Sequence, residues 1–158
     1  MNKIIIIFLV IFLLFGAVVI YQFAVNNAPK SKVTIDGHSF SVRVATTSAQ
    51  QQQGLSGEKN LPQDQGMLFL FKTKERYAFW MKGMQFPLDI IFIKDNKIDT
   101  IIQNIKPPAG NTTNLPIYQP DHAVDKVIEI NAGLAKKYNF KKNDDVKIEL
   151  QKNLQNAL

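Results

Sequence analysis

Residues 66–71 read Gly-Met-Leu-Phe-Leu-Phe, a run too short for an ordinary helix and apolar on both alternating faces of a strand. Such a strand belongs in the middle of a sheet, because an edge or a solvated face would leave half of it in water. Other stretches follow the same strand logic: LDIIFI over 88–93, IDTIIQNI over 98–105, VDKVIEI over 124–130 and DVKIEL over 145–150. Asp36-Gly37 divides a segment in which Val33, Ile35, Phe40, Val42 and Val44 form a candidate inward face, which is a strong hairpin signal. Lys94-Asp95-Asn96-Lys97 marks a second hairpin, and YAFWM over 77–81 reads as one more strand, joined to GMLFLF by the charged KTKER. A short helix is expected from Thr47 or Ser48 through the glutamines to Gly54, and another near Asn131 over AGLAKKYN. About eight short strands separated by turns predict a mainly β fold, a β-sandwich or barrel with one or two short helices.

The N-terminus has a different character. Residues 4–23, IIIIFLVIFLLFGAVVIYQF, carry no charge, and about 20 such residues match the roughly 30 Å hydrocarbon core of a bilayer. Cleavage after Ala17 would put Phe15 at the third position back, and cleavage after Ala24 would put Gln22 there, both poor signals for a peptidase. The expectation is an uncleaved transmembrane helix within a signal-anchor segment 1–25, with the membrane as its partner. A linker 26–31, a folded domain 32–150 and a flexible tail 151–158 follow. The short lysine-bearing N-terminus leans towards an extracytoplasmic domain, which would be secreted if the segment were cleaved.

Composition narrows the chemistry further. The net charge of +6 over 158 residues comes from scattered lysines with little arginine, a pattern that argues against nucleic-acid binding. The absence of cysteine rules out disulfides, thiolate zinc sites and cysteine nucleophiles. The sequence has no P-loop, no Gly-x-Ser-x-Gly elbow and no His-Glu-x-x-His, and neither a cofactor nor a metal site is expected.

Within FWMKGMQFPLDIIFI, residues 79–93, strand alternation would put Trp80 and Lys82 on one face. A ring beside an ammonium suits the edge of a pocket, although Trp80 can also be core with Lys82 reaching past it to water. Gly83 and Pro87 punctuate the connection. Asp89 falls on the face of Ile91 and Ile93, so its carboxylate points towards an apolar layer and needs a partner: Lys82, Arg76 or backbone amides. It reads either as a cap on the turn after Pro87 or as a ligand or acid–base group. The long Pro-, Asn- and Thr-rich loop 107–123 carries Tyr118 and ends at Asp121-His122, with Asp125 close behind. That cluster offers a general base beside two carboxylates.

Gly66-Met67-Leu68-Phe69 with Phe71, then Phe79-Trp80-Met81-Lys82, Pro87-Leu88-Asp89-Ile90-Ile91-Phe92, and Glu129 with Asn131-Ala132-Gly133 together resemble the bacterial and archaeal domain of unknown function 192. The resemblance runs from about Val42 to Leu150. It implies a compact β-sandwich of jelly-roll type, commonly behind a signal or membrane segment, and implies no reaction. Family members often have an arginine near the Gly-Leu-Ser-Gly stretch, where this chain has Glu58, and some carry a cysteine pair in the long loop that is absent here.

Three functions fit these residues. The leading one is a membrane-tethered module binding a small polar or saccharide-like ligand through Trp80, Tyr118, Lys82, Asp89, Arg76 and His122. A hydrolase-like enzyme using Asp89 or Asp121, His122 and Asp125 is the second, and an envelope accessory domain that contacts a protein partner is the third. The reading leans against an enzyme, because no nucleophile, base and orienting group stand together.

Overall fold

The computed structural model describes Phe8, residues 10–18, 31–109 and 114–155. The strands are β1 (Ser31–Ile35), β2 (His38–Ala45), β3 (Gln65–Glu75), β4 (Leu88–Lys94), β5 (Lys97–Ile105), β6 (Val124–Asn131) and β7 (Val146–Glu149). Three short helices complete the domain: α1 (Ser48–Gln53), α2 (Leu134–Lys137) and α3 (Lys152–Gln155).

All seven strands belong to one sheet, in the order β5-β4-β6-β3-β2-β1-β7. Neighbours are antiparallel except β2 and β3, which run parallel. A parallel pair needs a crossover, and residues 46–64, carrying α1, supply it. The sheet curls until its edges meet at one corner. There Lys97 bridges Asp145, Ile98 N–H donates to the Asp144 carbonyl at 3.0 Å, and Val146 N–H donates to the Asn96 carbonyl at 2.8 Å.

The expected two-sheet sandwich is thus replaced by a single curled sheet, a half-barrel. Both hairpins form where their turns require. Asp36 and Gly37 have φ of 44° and 79°, and Asp95 and Asn96 have 50° and 58°, the positive angles that match a two-residue turn to strand twist. What differs is closure. The strands were expected to divide into two layers, but β6 inserts between β3 and β4 and makes one continuous ladder.

Two apolar layers cover this sheet. The concave side gathers side chains from all seven strands, among them Ile35, Phe40, Leu68, Ile91, Ile98, Ile128 and Val146, with Leu134 and Phe140 added from beyond β6. The convex side of the central strands presents Met67, Phe69, Ile90, Phe92 and Val127, and is covered by Leu55, Leu61, Phe79, Met81 and Met84 from the connections. Burial on both faces explains the unbroken apolar runs Met67–Phe71 in β3 and Ile90–Ile93 in β4. Gly66 lets β3 approach β6, since a Cβ there would lie 2.7 Å from the Glu129 carbonyl oxygen.

Residues 77–81 do not form the expected strand. Phe79 alone pairs, exchanging backbone hydrogen bonds with Tyr118 at 2.9 and 2.8 Å. Alternation nevertheless persists: Phe79 and Met81 are buried while Trp80 and Lys82 are exposed. The helix expected near Asn131 is α2, and its N-cap is Gly133. The expected tail contains α3, and Gln151 N–H donates to Ser31 Oγ at 3.1 Å.

Most of the segment 4–23 lies outside the described residues. Phe8 and residues 10–18 are helical, and all of these except Gly16 are exposed. Among the described residues no helix is long and apolar enough to cross a membrane.

Candidate functional site: a cleft over Glu129

A cleft of about 750 Å³ opens on the convex side, between the crossover after β2 and the segment after β3. Its first wall is α1. Thr47 caps this helix, accepting from Gln50 N–H at 3.3 Å, while Gln50 Oε1 accepts from Thr47 N–H at 3.1 Å. That reciprocal pair satisfies donors a six-residue helix would otherwise leave open. Gln51 ties the helix to the sheet through its Nε2, which donates to the Leu70 carbonyl at 2.8 Å. Gly54 then ends the helix at φ 50° and ψ −132°, a conformation that favours glycine.

The opposite wall is aromatic. Tyr77 stacks on Phe71 with ring centroids 3.6 Å apart, and Phe79 stands edge-on to Phe69 at 5.1 Å. Trp80 lines the mouth and remains 46% exposed. The two walls are joined at one end, where Ser56 Oγ donates to the Lys82 carbonyl and Gly57 N–H to the Gly83 carbonyl.

Glu129 from β6 lies at the floor. Its strand sits between β3 and β4, with Met67 and Ile90 as register partners, so the carboxyl has no edge to escape from. It is 6% exposed, and its Oε2 has no hydrogen-bond partner. Burial pushes its carboxyl up to about 8, because an ionised group there would give up water without receiving a countercharge. Gly54 faces it across the cleft: a Cβ there would lie 4.0 Å from Oε2 and 3.5 Å from Phe69 Cζ.

Of the side chains expected to form a site, Trp80 alone lines this cleft. Lys82 is exposed and contributes only its backbone carbonyl to the joint between the walls. Arg76 braces the aromatic wall from behind, with Nε donating to the Pro120 carbonyl at 3.0 Å. Tyr118 is half-buried against the convex core and holds Phe79 through the backbone. Asp89 lies on the other face of the sheet, fully buried. Its Oδ1 accepts from Asn104 N–H at 2.7 Å and its Oδ2 from Ala135 N–H at 2.9 Å. Of its three expected partners, the backbone amides are the ones it finds. It joins the end of β5 to α2, rather than capping the turn after Pro87.

The Asp121, His122 and Asp125 cluster does not assemble. His122 Nδ1 lies 2.7 Å from Asp99 Oδ1, Asp121 pairs with Lys142 at 3.2 Å, and Asp125 pairs with Lys126 at 2.9 Å. Burial pushes the Asp99 carboxyl up, but hydrogen bonds from the Thr100 hydroxyl and from the His122 ring and N–H outweigh it and hold the group below the usual carboxylate range. Glu58 pairs with Arg43 at 2.8 Å on the surface. Among the described residues no group of three or more His, Asp or Glu side chains is placed to hold a metal ion.

Glu129 is the site residue that sequence reasoning left without a role. Its signal was available: in VIEI it shares a face with Val127, so a carboxylate points into an apolar layer, as at Asp89.

Comparison with known proteins agrees with this architecture. No curated protein matches the chain. A crystal structure of a protein of unknown function from Novosphingobium aromaticivorans is 33% identical with a TM-score of 0.68, covering 73% of this chain and 83% of that one. A Sinorhizobium meliloti protein described as a candidate transcription regulator is 30% identical with the same TM-score of 0.68, covering 77% of this chain and 95% of its own. Residues 31–148 match DUF192, described as an uncharacterized ACR. All of the half-barrel except Glu149, the last residue of β7, falls within that match, and the chain belongs to this family, the domain of unknown function 192.

Proposed function

We propose that the chain is a membrane-tethered, extracytoplasmic binding module that takes a small polar or saccharide-like ligand in the cleft over Glu129. The observation that carries this reading is the cleft itself. Its volume is in the range of small-molecule sites, one wall is aromatic, the other offers hydroxyl and amide side chains, and a buried carboxyl at the floor lacks a partner. Trp80, Tyr77 and Phe79 supply platforms, and Thr46, Ser48 and Gln52 supply hydrogen-bonding groups. Membrane tethering is supported by the uncharged segment 4–23 and by the exposed apolar side chains of its described helical part.

A hydrolase built on Asp89 is less well supported, because both its oxygens are already held by backbone amides. The regulator description of the Sinorhizobium protein is not carried over, since α1, α2 and α3 have six residues at most and none resembles a recognition helix.

Trp80 is the only tryptophan, so its fluorescence reports on the cleft directly. A panel of saccharides and polar fragments titrated into the full chain in detergent micelles should include members that shift or quench this emission saturably, and Tyr77→Ala should weaken them. If no member of the panel perturbs Trp80, the cleft is not a ligand site. Tethering is tested separately, by the mass of the chain recovered from membranes and by protease access to the domain in intact cells.

A further inference from the structure

We infer that the cleft is selective for a cationic amine, a ligand whose protonated amino group sits on the Glu129 carboxylate while its body lies along the Phe71, Tyr77, Phe79 and Trp80 wall. This rests on the reading of the cleft as a ligand site and adds the chemical class of what enters it. The first ground is the unmet demand of the carboxyl, which is buried, lines the cleft and has an unpartnered Oε2. A buried carboxylate requires either a countercharge or hydrogen-bond donors, and the protein supplies neither to that oxygen.

The second ground is the surroundings. Glu129 has Met67 and Ile90 as register partners on β3 and β4, and no residue from Thr46 to Ser56 on the opposite wall is ionisable. The remaining titratable side chains of the lining are Lys72 and Tyr77. Lys72 is exposed, and the Tyr77 hydroxyl is engaged with Thr73, donating to its carbonyl at 2.9 Å. With Lys72 turned to solvent, a countercharge to an ionised Glu129 comes with the ligand. Aromatic faces favour a cation over a neutral group of the same shape, and Trp80 is the exposed ring of the wall. Gly54 puts no side chain beside this oxygen, where a Cβ would lie 4.0 Å from Oε2, in van der Waals contact.

Proton balance follows from the chemistry. With the carboxyl pushed up to about 8, the free site holds a proton at neutral pH. An incoming ammonium keeps its own protons and needs the carboxylate, so the carboxyl proton is released to solvent as the ion pair forms. Binding should therefore tighten as pH rises from 6 towards 8, by up to about tenfold per unit.

The test uses two matched pairs of probes on the full chain in non-ionic detergent micelles. D-glucosamine is set against D-glucose, and Nα-acetyl-lysinamide against Nα-acetyl-norleucinamide, which separates an amino sugar from a lysine side chain as the source of the amine. Titration is followed by Trp80 fluorescence, and by calorimetry in two buffers of different ionisation enthalpy. The expected result is that at least one amine binds tenfold or more tightly than its neutral match, with release of close to one proton at pH 6.5. Glu129→Gln should bring amine and neutral match within about twofold of each other. Proton release by the parent chain is read without any variant, so it decides even if the variant folds poorly. Equal binding of amine and neutral match, or amine binding without proton release, overturns the inference. If neither amine binds while neutral members of the saccharide panel occupy the cleft, the amine selectivity fails alone; if nothing perturbs Trp80, the ligand-site reading fails with it.

Discussion

Asp89 and Glu129 sit on adjacent central strands, one register step apart, and have opposite fates. Asp89 pairs across the ladder with Ile130, and Glu129 with Ile90, so the two carboxyls project from opposite faces of the same two strands. Both are buried in apolar layers. Asp89 receives two backbone N–H groups and serves as a structural joint, whereas Glu129 has an oxygen without a partner and an open cleft before it. A buried carboxyl is therefore not by itself a site. What separates a joint from a site is whether the surrounding backbone has used up its acceptors.

The largest expected effect comes from removing the joint. Asp89→Ala strands the N–H groups of Asn104 and Ala135, and should cost about 2 to 5 kcal/mol in urea unfolding. Asp89→Asn keeps an acceptor oxygen and should cost about half as much. A loss below about 1 kcal/mol for the alanine variant would show that the two amides find other partners and would erase the contrast.

Glu129→Gln should behave in the opposite way. The folded-state carboxyl is raised from 4.5 to about 8, so the unfolded chain releases this proton first. Stability from this group is fully present below about pH 4.5 and is lost as pH rises to about 8. The glutamine variant should lack that decline and gain on the order of 1 to 3 kcal/mol over the parent above pH 8. The difference between the two proteins in thermal unfolding between pH 5 and 9 measures this, and a difference that does not change with pH would mean that the parent carboxyl finds a partner.

Gly54→Ala should cost about 1 to 2 kcal/mol, because it forces a side chain into a positive-φ conformation beside Phe69. It should also weaken any ligand of the cleft, while Asp89→Asn should not. Chemical denaturation and Trp80 titration of both variants sharpen the division between joint and site.

The smallest expected effect is a coupling near zero. Lys82→Met and Asp89→Asn should be additive within about 0.5 kcal/mol, since Lys82 is exposed on the convex side and Asp89 is buried on the concave side. A double-mutant cycle with a coupling above 1 kcal/mol would put the two in contact and contradict the geometry.

Asp89 shows how far such a site was legible in advance. Period-2 alternation in LDIIFI correctly placed it on the face of Ile91 and Ile93, and the cost of burying a lone charge correctly demanded partners. The same reasoning applied to VIEI would have marked Glu129. It could not have said that Glu129 would lie beneath Trp80, because the residues are 49 positions apart and meet only through the walls of the cleft. His122 makes the converse case: its neighbours in sequence, Asp121 and Asp125, go to lysines, and its partner is Asp99 from β5.

Local information determined the hairpins at 36–37 and 95–96, the central position of β3 and the mainly β class, because turn dihedrals and face alternation are settled within a few residues of chain. Whether those strands formed two sheets or one was decided by non-local pairing. The insertion of β6 between β3 and β4 joins the ladder, and the contact of Lys97 with Asp145 brings its edges together. The same pairing gives the central strands two buried faces and leaves the connections at 46–64 and 76–87 to cover the convex one. A cleft made where two coverings meet has no local signature, since its volume depends on how far each segment reaches across a sheet built from other parts of the chain.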